Sequence, residues 1–555
     1  MMIYFYFTPQ IIVLNITTKF DNTEFMSFDT YLARHNITDK KEFLKPTGKY
    51  LDSCYAYSNM SEAVQMIKYH YLQNNTVYIL SDSGDTDGIT SASILYDYFK
   101  LLKADWKIVI LIHDGKERGL ADDKLFEKML SKTNCLLIIP DAGTNDKERV
   151  KAVFDNGVDI LCIDHHNLDT PIEQGILISN KKGDKDVSPY GSGCLVTHKV
   201  LQALDKEFNV CYSKNYIDMV ALSLVSDIMD MSDMQNRTYY YYGLENINKV
   251  RNPFLKQLIQ DYIGDKPYTQ RDISFKIVPK LNAVSRCDNQ KLKQQVFKAF
   301  IGLADIEETS KECNKAHAEQ LKIVKNIVDA NIDDIDYNNN LIIVANDTIR
   351  KTYAGLIASK LSQGHPIIVG RIHDDTLIGS FRSPIDIDDT LVNNPFINWK
   401  RGHTLASGIS LPSKNIQALI DYYNNITLPQ PTIEVLQSYQ LSDIPHDLFE
   451  DFSKYPTIYG KGLEKPLIHV YNIKFKASEI DILGKKENTL KLKKKGIEFL
   501  WFNVTDEDKS NIIKKGDLNL EVVGSMAINT YNNLNTHQII VEKYEVHENT
   551  FEDLM

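Results

Sequence analysis

Asp82, Asp85 and Asp87 crowd into the short stretch between the apolar run "TVYIL" and Gly88. Further on, "CLLIIP" runs into Asp141, and "VDILCI" into Asp164, His165 and His166. Asp227 falls in the apolar stretch "VALSLVSDIMDM". Taken singly, each has an ordinary explanation: an acid ahead of a helix is usually an N-cap or turn residue, and a strand-end histidine is more often structural. Taken together they point to chemistry. Clustered carboxylates repel one another unless cations neutralise them. Oxygen donors with an imidazole suit Mn²⁺ or Mg²⁺, and the lack of cysteine in the set argues against structural zinc. Asp227, read as the interior of a greasy helix, needs a partner there, and a metal ion is one.

Such a set acts only if the chain brings it to one place. The runs "TVYIL", "WKIVILI", "CLLIIP" and "VDILCI" are β-branched and nearly continuous. Between them "SASILYDYFKLLKA", "DDKLFEKML" and "KERVKAVFDNG" carry apolar residues at helical spacing. This βαβα order predicts an α/β fold with a doubly wound parallel sheet, whose strand ends share the edge where ligand crevices form. The predicted division is an N-terminal extension and helical lead-in over 1–72, a catalytic domain over 73–290 and a connector helix over 291–332. A second, smaller α/β domain follows over 333–428, then a linker ("TLPQPTIEV") and a small all-β barrel over 429–555.

The length of 555 residues requires several cores. A net charge of -11 argues against a simple basic nucleic-acid binder, but not against a nuclease, because bound cations reverse the local sign. The 7 cysteines are scattered, as reduced core thiols of a cytosolic protein would be. The apolar start "MMIYFYFTPQIIVLNI" lacks a basic flank and a cleavage site and is too short to span a bilayer. It reads as an edge strand or as sequence upstream of an alternative start at Met26, so no membrane association is expected. In the β domain, Lys485, Lys486, Lys491, Lys493, Lys494 and Lys495 precede Phe499, Trp501 and Phe502. Basic groups with aromatics suit a surface that stacks the bases of a single strand. A solvated lysine edge over core aromatics accounts for the pattern equally well.

Read in order, "DTDGITS", "PDAGTND", "IDHHNLDTP" and "LSLVSDIMDMSDMQNR" resemble the motifs of the DHH phosphoesterases. Within them the chain is similar to the RecJ-type single-strand DNA exonucleases, over about 29–546. "YGSGCLVTHKVLQAL", "IVPKLNAVSR", "LIGSFRSPIDIDDTL" and "RGHTLASGISL" resemble further segments of that family, the last two those of a DHH-associated domain. "YGKGLEKPLIHV" and "ENTLKLKKKGIEFLWFN" look like its oligonucleotide-binding (OB-like) barrel. The resemblance implies a DHH catalytic domain, a DHH-associated domain and metal-dependent 5′→3′ hydrolysis of single-stranded DNA in recombination or repair. It also implies a monomer in the cytoplasm, that of the host if phage-encoded, with a single-strand-binding protein or a helicase as partner.

Carried over position by position, Asp85, Asp87, Asp141, His165 and Asp227 match the ligands of a two-cation centre, Mn²⁺ ahead of Mg²⁺, with Asp141 as the bridge. His166 matches a ligand or phosphate contact, and Asp164 the acceptor that orients the neighbouring imidazole; both are placed with Asp82 among the catalytic residues. Arg286, Arg382, Gly402, His403 and Gly408 match the segments that hold the strand and its phosphates. The chain departs from the family pattern at Ser83, where an aspartate is usual and which Asp82 is expected to replace, at Ser285 and at Arg401, both in place of glycines. A phosphodiesterase of short oligonucleotides or cyclic dinucleotides and a non-catalytic replication scaffold are the alternatives. The β domain argues against the first, and the intact ligand set against the second.

Overall fold

A computed structural model of the protein describes residues 10–11, 16–18, 27–82, 84–113, 118–429, 432–513, 517–531 and 534–548. Five strands, β1 (Val77–Ser81), β2 (Ile108–Ile112), β3 (Cys135–Pro140), β4 (Val158–Asp164) and β5 (Ile176–Ser179), form an all-parallel sheet in the order β2-β1-β3-β4-β5. Side chains alternate between two cores. Ile79, Leu136, Ile138, Leu161 and Ile163 enter one, and Leu80, Leu137, Ile139, Ile160 and Cys162 the other. A sheet covered on both faces needs apolar residues at nearly every position, which is why the strands read as continuous runs. Helix α1 (Thr86–Leu102) and helix α4 (Gly193–Phe208) bury Ile94, Leu95 and Val196 in the first core. Helices α2 (Asp123–Leu130) and α3 (Lys147–Asp155) bury Met129, Val150 and Val153 in the second. The strand order reverses between β1 and β3, so the crevice at their carboxyl ends lies at the topological switch point.

Beyond the sheet come α5 (Ile217–Ser226), α6 (Met234–Gly243) and α7 (Val278–Arg286). The segment expected as one connector helix is two, α8 (Gln290–Phe300) and α9 (Ile306–Asn331). Gly302, at φ +73°, breaks the first, and Asp305 caps the second by accepting from the Glu308 N–H at 2.9 Å. Helix α9 joins two cores, with Cys313 in that of the catalytic domain and Val324 in that of the second α/β unit.

The second unit is a mixed sheet of β6 (Ile342–Ala345), β7 (Ile367–His373), β8 (Thr376–Arg382), β9 (Trp399–His403) and β10 (Ala406–Pro412), in the order β9-β10-β8-β7-β6. Helix α10 (Ala354–Leu361) packs on it. The C-terminal domain is built on β11 (Leu467–Lys476), β12 (Ile480–Leu483), β13 (Thr489–Lys494), β14 (Ile497–Phe502), β15 (Asp517–Tyr531) and β16 (Leu534–Glu548). Its hydrogen-bonded path runs from Ser438–Gln440 through β11, β15, β16, β14 and β13 to β12, with Gln10–Ile11 running parallel to β16. Phe28, Tyr31 and Leu32 from the helix Phe28–Arg34 share this domain's core with Phe449, Phe452 and Trp501. The helix Met60–Gln73 instead packs in the catalytic core through Ala63, Val64 and Ile67.

Of the two readings of the lysine and aromatic cluster, the solvated lysine edge over core aromatics holds for two of the three rings. Phe499 and Trp501 are wholly buried, and of the three rings only Phe502 is exposed. Pairing of β13 with β14 puts Leu490 and Leu492 opposite Trp501 and Phe499, all inside, so the alternate residues Lys491 and Lys493 point outward. Among the described residues no helix is long and apolar enough to cross a membrane.

Candidate metal centre

Helix α1 starts on the crevice because Asp85 is its N-cap, accepting from the Gly88 N–H at 3.3 Å. A glycine is required at 88, since a Cβ there would lie 2.2 Å from the Asp82 carbonyl oxygen. Asp87, in the first turn of α1, points across to the start of α4. Its carboxylate accepts from the Gly193 and Cys194 N–H groups at 2.7 and 2.8 Å and from the Ser223 hydroxyl at 2.6 Å. Unpaired amides at a helix N-terminus thus fix one carboxylate in place.

Asp141 leaves β3 in the left-handed region, at φ +62°, and is pressed against Gly193, where a Cβ would come within 2.4 Å of Asp141 Oδ1. Both of its oxygens are buried and receive no hydrogen bond from the described residues. Around it, His165 Nε2 stands 3.2 Å from Asp141 Oδ1, 3.5 Å from Asp227 Oδ2 and 3.7 Å from Asp87 Oδ2. Asp164 Oδ1 accepts from His166 Nδ1 at 2.7 Å and from the His165 N–H at 2.7 Å, while its Oδ2 accepts from the Thr144 N–H at 3.2 Å. Arg118 donates to His166 Nε2 at 2.8 Å, so that ring carries its proton on Nδ1.

The electrostatics follow from burial and crowding. Burial, with Asp87 and Asp85 close by, pushes the Asp141 carboxyl well up from its ordinary value. Burial raises Asp227 to about 6 against the opposing pull of His165. Burial also works against ionisation of Asp164, yet the His166 hydrogen bond and the nearness of the two imidazoles hold it well below the usual range. Carboxylates that resist ionisation beside a histidine are the arrangement that a divalent cation relieves.

Two groups of side chains each bring one donor atom per residue within 4.8 Å of the others: Asp141, Asp164, His165 and His166, and Asp87, His165 and Asp227. His165 belongs to both. Asp227 is not inside a helix as expected; it is the C-cap of α5, which ends one position earlier, at Ser226. Asp85 lies outside both groups, its Oδ2 held by Arg118 at 2.7 Å. Asp82 accepts from the Gly84 N–H at 2.7 Å and faces Arg118 Nε at 3.3 Å and His113 Nδ1 at 3.8 Å, so its partners are a turn, a guanidinium and a buried imidazole. Ser83, whose lost aspartate Asp82 was expected to replace, lies outside the described residues.

Arg118 escaped the sequence reading, although a cation in the loop after β2 sits at the same sheet edge as the acids. So did Asn282 of α7, whose side-chain oxygen accepts from the Thr86 N–H at 3.2 Å and the Thr86 hydroxyl at 2.9 Å, bracing the first turn of α1. Ser285 is accommodated within α7, and Arg286 is the last residue of that helix. Arg382 ends β8, its guanidinium filling the space a Cβ on Gly355 would occupy. Burial and the nearby charge of Arg286 lower Arg382 to about 10, and its Nε has no hydrogen-bond partner among the described residues. Two guanidiniums that repel each other in a cleft favour an anion between them. His403, at the end of β9, lies within electrostatic reach of His166 and His165. Gly402, at φ +124°, and Gly408, paired with Arg401, shape that hairpin.

A family model described as the DHH family, N-terminal domain, matches residues 76–224, and one described as the RecJ OB domain matches 438–543. The chain is a DHH-domain protein with a RecJ OB domain. A SPbeta prophage-derived protein of Bacillus subtilis (strain 168), YorK, provisionally named a single-strand DNA-specific exonuclease, is 25% identical over 93% of this chain and 95% of its own. The single-stranded-DNA-specific exonuclease RecJ of the same organism is 23% identical over 98% of this chain and 68% of its own. The fold of RecJ from Thermus thermophilus in complex with Mn²⁺ superposes with a TM-score of 0.75 at 19% identity, covering 94% of this chain and 76% of that one. The same RecJ in complex with Mg²⁺ gives 0.69 at 18% identity, over 94% and 75%. The DHH match holds Asp85, Asp87, Asp141, His165 and His166 and ends at Leu224, just ahead of Asp227. The residues fit a divalent cation: Asp141 offers two buried oxygens that no described donor uses, in a set of oxygen and imidazole ligands.

Proposed function

We propose that this protein is a metal-dependent exonuclease that hydrolyses the phosphodiester bonds of single-stranded DNA in the 5′→3′ direction, in recombination or repair. The observation that carries the reading is Asp141, a buried carboxylate with no hydrogen-bond donor among the described residues, facing His165, Asp87 and Asp227. Asp85, Asp87, Asp141, His165 and Asp227 would hold two cations, Mn²⁺ ahead of Mg²⁺. Cations bound there lower the pKa of a coordinated water and neutralise charge on the scissile phosphate.

The chain's own groups then have distinct tasks. Asp164 fixes the His166 ring so that Nε2 faces the crevice, where Arg118 now meets its lone pair and where, once doubly protonated, the ring can donate to a phosphate oxygen. Arg118 balances Asp82 and Asp85 at the crevice wall. Arg286 and Arg382 hold a phosphate between the two α/β units, and the Gly402–Gly408 hairpin brings His403 over the strand end. The direction, the nucleic-acid substrate and a monomer acting alone or beside a single-strand-binding protein or helicase rest on the resemblance and on the names of the relatives.

The test is a pair of identical long single strands, one labelled at the 5′ end and one at the 3′ end, digested with Mn²⁺. Immediate release of labelled mononucleotide from the 5′-labelled strand alone is expected. Release from the 3′ end, or cleavage confined to a dinucleotide, would replace the reading with another DHH activity. Absence of any cleavage would favour a scaffold.

A further inference from the structure

Asp227 is held by an unusual helix end. Helix α5 closes with the Ile228 N–H donating to the Val225 carbonyl at 3.4 Å and the Met229 N–H to the Leu224 carbonyl at 3.0 Å. That pattern puts residue 228 in the left-handed region, at φ +55°, where glycine is usual and a β-branched side chain is strained. Strain of this kind persists only where the surroundings over-determine the backbone.

The surroundings come from the far end of the sequence. In the segment that follows Asp227, Asp230 Oδ1 accepts from the Ser232 N–H and hydroxyl at 2.8 and 2.6 Å, and the buried Asn236 side chain donates to the Asp230 carbonyl at 2.8 Å. The Met231 N–H donates to the carbonyl of Lys461, in the C-terminal domain, at 2.6 Å. Lys461 lies in a tight turn closed by Gly460 and Leu463, whose N–H groups donate to each other's carbonyls at 3.0 and 3.2 Å, and Leu463 is rooted in the C-terminal core. The turn is glycine on both sides of Lys461. At Gly462, φ +85°, a Cβ would lie 1.9 Å from Asp230 Oδ1; at Gly460 it would lie 1.9 Å from Gln270 Oε1.

We propose that the Gly460–Leu463 turn is a positioning element for the metal centre: by clamping Asp230 and Met231 it sets the place of the Asp227 carboxylate three residues earlier. The C-terminal domain thereby acts on the catalytic site through a backbone contact, separately from any hold it has on DNA. The inference rests on Asp227 being a metal ligand, as proposed above.

The experiment uses full-length wild type, Gly462→Ala, Asp230→Ala and the Gly462→Ala/Asp230→Ala pair. Mn²⁺ binding is measured by electron paramagnetic resonance of the free ion, with thermal melting and oligonucleotide binding in EDTA as controls. Gly462→Ala is expected to weaken Mn²⁺ binding about tenfold, as loss of an outer support for a ligand does, with oligonucleotide binding unchanged. The double variant, in which the clashing carboxylate is gone, is expected to recover toward Asp230→Ala. Gly460→Ala with and without Gln270→Ala repeats the design at the other glycine, should Gly462→Ala fail to fold. Mn²⁺ affinity equal to wild type in a folded Gly462→Ala or Gly460→Ala protein would overturn the inference. So would a loss that tracks melting temperature and is not recovered in either double variant. Wild type that binds no Mn²⁺ would sink the metal reading itself, a distinct result.

Discussion

Charge is handled in opposite ways at the two ends of this molecule. At the carboxyl edge of the parallel sheet, Asp82, Asp87, Asp141 and Asp164 are each 1% exposed, and their chemistry is turned inward. On the outer strands of the C-terminal domain, Lys485, Lys486, Lys493 and Lys495 stay in water while Phe499 and Trp501 go inside. Lys491 and Lys494 are neutralised by Asp481 at 3.1 Å and Glu479 at 2.6 Å. A buried, unpartnered carboxylate costs stability and so has to be explained by function. An exposed lysine costs nothing and explains nothing by itself. Similar densities of charged residues therefore carry different weight, and burial decides which.

The largest effect expected is at the inner site. Asp141→Ala should lower Mn²⁺-dependent cleavage by about a thousandfold or more, about 4 kcal/mol of barrier. Its melting temperature should hold or rise, because the lost carboxyl makes no hydrogen bond to the described residues and is forced up in pKa by burial. A marked fall in melting temperature would make Asp141 structural and erase the contrast. In the C-terminal domain the order reverses: Trp501→Ala should cost about 3–5 kcal/mol in urea unfolding, as a core aromatic does.

Scaffold titration comes next. Burial lowers His198 of α4 from 6.5 to about 4, and its nitrogens meet the Tyr239 hydroxyl and the Ser213 carbonyl at 2.9 Å each. The unfolded chain takes up this proton near pH 6.5 and the folded chain only near 4, so stability falls as pH drops through that window, by up to about 3 kcal/mol. Urea midpoints at about pH 7 and pH 5, on either side of the ordinary histidine value, should show the fall, and His198→Gln should flatten it. Activity lost over the same range then belongs to the fold unless His198→Gln loses it as well.

The smallest effects are expected at the outer surface. Phe502→Ala should change stability by less than about 0.5 kcal/mol. It should weaken single-strand binding by about 1 kcal/mol if the ring stacks a base. Lys493→Gln should reduce the slope of log affinity against log salt by about 0.7 if that lysine meets a phosphate. No change in either variant would leave this surface outside the strand path.

The strand-end acids were legible because a strand buried on both faces reads as an apolar run, and the residue that ends the run must lie at the sheet edge. Asp141, Asp164 and His165 follow from that alone. Arg118 follows no periodic pattern; it comes from a loop, and only the return of β2 to the same edge brings it to Asp85. Asp227 was placed one residue too deep because the helix end beside it is marked by isoleucine where glycine would have flagged it. The aromatics were left between two readings for a different reason, although Ile497, Phe499 and Trp501 alternate and that period of two already assigns them to the inside. The one-residue spacing outweighed the nearby lysines.

The helix Phe28–Arg34 gives the fold a temporal consequence. Tyr31 donates to the carbonyl of Glu464, 433 residues away, at 2.5 Å, and Phe28, Tyr31 and Leu32 complete a core whose other members lie beyond residue 435 apart from Ile37 and Phe43. Chain leaving the ribosome has its parallel-sheet domain whole long before that core can close. The early apolar helix must wait in solvent or on a chaperone until the last strands arrive, and closing so long a loop is slow. Assembly of the C-terminal domain is therefore the last folding event, and the step at which newly made protein is most exposed to aggregation.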